Sequence, residues 1–197
     1  AVWDESYQFI QSKDDDYIER NKPEDALANL RLNGMAFLNL KGEIVYAIGK
    51  NLDNGEITPV SAGLVKYLHN SAIMHNGNPG YRVKAITMLP EGPALIASSP
   101  ILPSAGNGPV RGNLVVMRYL DSAEISALSK TLNLELSLQD LTEINPEKDR
   151  RYKLDSDDEP GFIRRLDDTY VGGYSVLKDD NDQPLLPPAA ELETRAV

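Results

Sequence analysis

The chain has 197 residues, 30 of them acidic and 20 basic, which gives a formal net charge of −10. That balance argues against nucleic acid as a partner, because a reader of polyanionic backbone needs clustered Lys and Arg. Cysteine is absent, which excludes thiol catalysis, Cys-ligated zinc and any disulfide framework.

A chain of this length can bury a core without staples, and one domain over residues 1–197 suits it. The spacing of Trp3, Tyr7 and Ile10 predicts an amphipathic first helix. The run Asp14-Asp15-Asp16 is either a solvated connection or the cap of whatever Tyr17 and Ile18 begin. A short helix is expected from Pro23 to Leu30, with the proline in the first turn where its missing N–H costs nothing. Met35–Leu40 and Glu43–Ile48 are apolar and partly β-branched, and read as a hairpin turning at Lys41-Gly42. A helix is expected from Thr58-Pro59 to Leu68, with Leu64, Val65 and Leu68 on one face.

The stretch from His75 to Gly80 is rich in Asn, Gly and Pro and reads as a loop. Strands over Arg82–Met88 and Ala94–Ser98 follow, joined at Pro90-Glu91-Gly92-Pro93. A turn-rich connection, Pro103–Gly112, leads into a strand over Asn113–Tyr119. Asp121 and Glu124 form a capping box that starts a helix, and Leu132, Leu134, Leu136 and Leu138 then alternate as in a half-buried strand. Leu141–Gly161 is polar with weak periodicity, and strand character returns at Phe162–Leu166 and Tyr170–Leu177. Pro187-Pro188 stops a short apolar stretch, and a helix is expected to restart over Ala189–Val197. Short connections favour antiparallel pairing. The fold class is therefore α+β, a central antiparallel β-sheet flanked by helices.

Four stretches, in order along the chain, carry a family likeness. The first is Trp3-Asp4-Glu5-Ser6-Tyr7-Gln8-Phe9 on the first helix, and the second is Asn29–Asn33 with Lys41-Gly42-Glu43-Ile44-Val45-Tyr46. The third runs from Ser99-Pro100-Ile101-Leu102-Pro103-Ser104 through Gly108-Pro109 to Gly112-Asn113-Leu114-Val115 and Arg118-Tyr119-Leu120. The fourth is Leu166-Asp167-Asp168 with Gly173-Tyr174, Leu177 and Asp182-Gln183-Pro184. Together they resemble the CHASE4 domain, an extracytoplasmic sensing module of bacterial and archaeal receptors with a PAS-like or Cache-like fold. Glu193-Thr194-Arg195 departs from the family's closing E-T-P-R by lacking the proline.

The resemblance implies a long N-terminal helix and a sensory domain set between two membrane helices, outside the cytoplasm. Residues 187–197 would then be the linker toward the second membrane helix. The output module would be a diguanylate cyclase, a phosphodiesterase, a histidine kinase or a chemoreceptor, and this domain would be non-catalytic and without a cofactor. A small-molecule ligand and a homodimer through the N-terminal helix are expected as partners. The alternative is a module of the same fold that senses a partner protein or only dimerises. Trp3, Asp4, Tyr7, Pro100 and Gly112 are the signature residues, and Trp3 and Tyr7 suit a helix anchor while Asp4 suits a local hydrogen bond.

Arg118 ends an apolar strand, where burial demands a partner. It can clamp a ligand carboxylate or pair with an internal acid. Tyr46, Tyr81, Ser98 and Tyr119 are the further ligand-pocket candidates. His69 and His75 lack the spacing of a metal site, so no metal is expected. Taking Asp180 as the start of a calcium loop puts Leu185 where glycine is required, which leaves Asp179–Asp182 as a turn. Gly106-Asn107-Gly108 and Gly77-Asn78-Pro79-Gly80 lack the residues of a phosphate cradle and are loops.

Overall fold

The computed structural model describes residues 4–70, 78–140, 152–153, 161–165, 171–179, 185 and 190–196. Trp3, His75, Leu166-Asp167-Asp168, Asp180–Pro184, Pro187-Pro188 and most of the polar segment after Leu141 lie outside them. Two compact units result. The first uses residues up to Ala85 and from Leu89 to Tyr119, and the second uses Ile86–Met88 and the chain from Leu120 onward.

In the first unit three short helices precede the sheet: α1 (Asp4–Ser12), α2 (Asp15–Asn21) and α3 (Pro23–Asn29). The first helical run stops at Ser12 because Lys13 turns left-handed, at φ 53°. Asp14 then caps α2, its side chain accepting from the Asp16 N–H at 3.1 Å, so part of the acidic run is a cap. Pro23 sits in the first turn of α3 as expected.

A six-stranded sheet follows, made of β1 (Gly34–Asn39), β2 (Ile44–Lys50), β3 (Ile57–Thr58), β4 (Val83–Leu89), β5 (Gly92–Ile101) and β6 (Gly112–Tyr119). Its order is β3-β2-β1-β6-β5-β4, and β1 runs antiparallel to both β2 and β6. The hairpin turn falls where the sequence places it, with Gly42 at φ 84°, a conformation that glycine tolerates without strain. The helix expected from Thr58 starts later, as α4 (Ala62–Asn70). Ile57 and Thr58 are committed to pairing with Lys50 and Gly49, and Ser61 Oγ supplies the cap by accepting from the Leu64 N–H at 3.1 Å.

Strand β1 is buried on both faces, which explains its unbroken apolar run. Ala36 and Leu38 point to one side, where Leu64 and Leu68 of α4 close over Ile96, Val115 and Met117. Met35 and Phe37 point to the other, where Phe9, Ile10, Tyr17 and Leu27 of the three early helices pack on Ile48 and Ile101. Helices therefore flank a central antiparallel sheet, the PAS-like arrangement expected from sequence.

The second unit contains α5 (Ser122–Leu132) and a sheet of β7 (Leu134–Asp140), β8 (Tyr152–Lys153), β9 (Gly161–Arg165), β10 (Val171–Val176) and β11 (Ala190–Ala196), in the order β7-β11-β10-β9-β8. Asp121 caps α5 by accepting from the Glu124 N–H at 2.8 Å, as the capping-box reading required. Strands β7, β9 and β10 recover the later strand readings, whereas the two-residue β8 falls in the stretch read as polar with weak periodicity. The last element is a correction. Ala190–Ala196 is strand β11, not a helix, and it is hydrogen-bonded to β7 on one side and β10 on the other. Two ladders outweigh the modest helix preference of Glu-Leu-Glu-Thr-Arg. Among the described residues no helix is long and apolar enough to cross a membrane.

Candidate functional site

The residues that resemble a family signature meet at the start of α1. Asp4 and Ser104 exchange hydrogen bonds across the first unit: the Asp4 N–H donates to Ser104 Oγ at 3.2 Å, and the Ser104 N–H donates to Asp4 Oδ1 at 2.8 Å. This is the logic of a capping box with its two halves on different elements, α1 and the β5–β6 loop. It satisfies an otherwise orphaned helix N–H. The Ser104 N–H, and then its hydroxyl, hold the Asp4 carboxyl below the usual carboxylate range.

Arg111, next to Gly112 at the end of the same loop, makes the second attachment. Its guanidinium lies 3.8 Å from the Tyr7 ring centroid, and Nη1 donates to the Tyr7 carbonyl at 3.1 Å. A stacked, partly desolvated cation of this kind is worth about 1–2 kcal/mol. The Arg111 N–H donates in turn to the Ile101 carbonyl at 3.2 Å, tying the loop back to β5.

Beneath these attachments α1 is anchored in the core. Phe9 stacks on Tyr17 at 4.3 Å between centroids and meets Phe37 edge-on at 5.5 Å. The Tyr17 hydroxyl and Ser6 Oγ are hydrogen-bonded at 2.7 Å in a buried position. Burial pushes the Tyr17 phenol up, and the bond to Ser6 offsets part of that shift. The remaining side chains of α1, Glu5, Gln8, Gln11 and Ser12, are exposed and polar.

A groove of about 450 Å³ lies between α1, the β1–β2 turn and the β5–β6 loop. Tyr7 and Ile10, Leu40 and Lys41, and Val110 and Arg111 line it. Ile10 and Val110 are buried, so its base is apolar, while Lys41 and Leu40 are exposed at its rim.

The expected ligand residues do not gather at one place. Arg118 and Tyr119 are neighbours on β6 and therefore point to opposite faces of the sheet. Arg118 shares its face with Leu114 and Val116, on the side of α1–α3, where Tyr46 also lies. Burial and the Glu24 charge push the Tyr46 phenol up. Tyr119 is on the α4 side with Ser98, whose neighbours in the alternation, Ala94 and Ile96, belong to that core. The Tyr119 phenol is pushed up by burial, an effect that its bond to the Ser61 side chain partly offsets. Tyr81 is exposed ahead of β4. Pro100 is buried within β5, and Gly112 opens β6. His69 Nδ1 lies 2.7 Å from the Val65 carbonyl one turn earlier in α4. Arg111 is the residue that sequence reading passed over.

Known proteins are similar to this chain in sequence and in fold. The chain is 26% identical over 136 residues to the methanogenesis regulatory histidine kinase FilI of Methanothrix harundinacea, a match that takes in 69% of this chain and 15% of that kinase. The chain thus spans about a seventh of its curated relative. A domain of a sensory box/GGDEF family protein from Vibrio parahaemolyticus superposes with a TM-score of 0.53 at 14% identity, over 98% of this chain and 82% of that one. The extracellular domain of the histidine kinase vpHK1S-Z8 gives 0.50 at 13% identity, over 98% and 78%. At such identities these two establish the fold. The sequence pattern of the CHASE4 domain matches residues 1–139, the whole of the first unit with its α1–loop attachments included. The chain belongs to the CHASE4 domain family, a family of sensory domains.

Proposed function

We propose that this chain is the extracytoplasmic sensing part of a membrane-anchored signalling receptor, and that α1 carries its signal. Ligand binding would change how firmly α1 is held to the β5–β6 loop, and that change would pass to an output module such as a histidine kinase or a diguanylate cyclase. The observation that supports this most is the pair of attachments at Asp4–Ser104 and Tyr7–Arg111. They spend signature residues on fastening one short helix, where a purely structural helix would need only its apolar face. A ligand can bias such a clamp only if it prefers one of the two clamp states.

The domain itself is read as non-catalytic. A homodimer through α1 would have to use the polar face formed by Glu5, Gln8, Gln11 and Ser12, which is a weak basis for stable association.

The location can be tested directly in a full-length receptor whose cysteines outside this cysteine-free chain have been replaced. A cysteine placed at exposed Gln8 in the full-length receptor should react with a membrane-impermeant maleimide in intact cells. Labelling that requires cell lysis would place the domain on the cytoplasmic side and remove the receptor reading.

A further inference from the structure

The groove beside α1 has an unusual charge for this protein. The chain carries a net charge of −10, yet among the described residues the charged side chains lining the groove are Lys41 and Arg111, with no carboxylate. Glu43, the acid on the same turn, is held by the Asn39 amide at 2.7 Å. Among the described residues no carboxylate pairs with Lys41 or Arg111. Arg111 uses Nη1 on the Tyr7 carbonyl, and a guanidinium has four further N–H donors.

Beneath the two cations the surface is apolar: Ile10 and Val110 are each 4% exposed, and Leu40, half exposed at 50%, forms a wall. The volume of about 450 Å³ falls in the range of small-molecule sites. Two cations above an apolar floor select an organic anion whose head meets the charges and whose hydrocarbon body covers the floor.

We infer that this groove binds a small monocarboxylate with a short hydrocarbon body. Its head is held by Arg111 and Lys41, and its body lies on Ile10, Leu40 and Val110. The site lies at the margin of the face covered by α1–α3, where the core residue Ile10 forms part of its floor. Because Arg111 also holds Tyr7, an occupant that draws the guanidinium toward itself alters the attachment of α1. That consequence rests on the receptor reading above, whereas the binding itself does not.

The probes are hexanoate, its neutral counterpart hexan-1-ol and inorganic sulfate, titrated into the isotopically labelled chain and followed by amide chemical shifts. Hexanoate should shift the amides of residues 40–41 and 110–111 in a saturable way. Hexan-1-ol and sulfate, each lacking one half of the recognised chemistry, should bind at least about tenfold more weakly. Lys41→Ala, at an exposed position, should weaken hexanoate about tenfold, and Lys41→Glu should abolish its binding. Arg111→Lys keeps the charge but loses the fork, and should weaken it by a similar factor.

Equal binding of hexan-1-ol, shifts centred elsewhere, indifference to Lys41→Ala, or no saturable shift up to about 10 mM would each overturn the inference. None of these outcomes bears on the side of the membrane that Gln8 faces, so failure of the site and failure of the receptor reading are separately visible.

Discussion

Phe9→Ala should destabilise the first unit by about 3–5 kcal/mol, the cost of deleting a buried aromatic side chain together with the cavity it leaves. Phe9 is 3% exposed and lies at the junction of three elements. It stacks on Tyr17 of α2 at 4.3 Å and meets Phe37 of β1 and Tyr46 of β2 edge-on at 5.5 and 6.2 Å. Such contacts add about 0.5–1.5 kcal/mol each to the area buried. The neighbours are rings of fixed shape, so the site cannot collapse well, which favours the upper end of the range. Guanidinium titration of the isolated chain measures the loss, and a midpoint shift worth less than about 1 kcal/mol would show that α1 is not anchored by this ring. Phe9→Leu should restore most of the stability, because it returns apolar volume to the same place.

The second large effect is expected at a residue with no side chain. A Cβ built on Gly112 would land on the carbonyl oxygen of Leu38 and lie 3.3 Å from the Cα of Asn39. Gly112 pairs with Asn39 of β1 and Ile101 of β5, so neither neighbouring strand can move aside alone. The obstacle is backbone, and the β1–β6 ladder must open to admit even a methyl group. Gly112→Ala should therefore cost about 2–3 kcal/mol, in the range of overpacked cores. Gly80→Ala serves as the control, since among the described residues its Cβ would meet only the Asn78 side chain at 3.5 Å and should change stability by less than about 0.5 kcal/mol. If the two variants unfold at the same denaturant concentration, the close approach at Gly112 is not what the residue is for.

Local chemistry made much of this fold legible. Pro23, the Lys41-Gly42 turn and the Asp121–Glu124 capping box act over a few residues, and each marks its element where it is observed. Elements decided by distant partners were harder to read. Nothing in Ala190–Ala196 announces a strand, because its conformation is set by β7 and β10. Ile57 and Thr58 read as the approach to a helix until β2 claims them.

The site divides in the same way. Asp4 and Tyr7 stood out through the family likeness, and a hydrogen-bonding role for Asp4 matches its exchange with Ser104. Arg111 lies in a turn-rich stretch where sequence alone reads only a loop, and its partner Tyr7 is brought to it by the fold. Its neighbourhood offered a signal all the same, since a lone arginine between Pro109-Val110 and Gly112 is a charge placed on a constrained backbone. Arg118 and Tyr119 could have been separated from the outset, because adjacent residues of a strand face opposite sides.

On the proposed receptor role, the attachment of α1 to the β5–β6 loop sets the signal. The most direct test compares the output of the full-length receptor with the clamp opened and with it shut. Asp4→Ala removes the acceptor for the Ser104 N–H. In the double variant Asp4→Cys with Ser104→Cys, oxidation closes the same contact covalently, and the reciprocal bonds of 2.8 and 3.2 Å bring these backbones within disulfide reach. At equal abundance the opened and oxidised receptors should differ in output by about fivefold or more, the usual scale of coupling between sites, and reduction should return the locked form to the level of the opened one, because the double variant also lacks the Asp4 carboxylate and the Ser104 hydroxyl. Equal output from the opened, locked and wild-type receptors would rule out a signalling role for the clamp and leave it as a purely structural fastening.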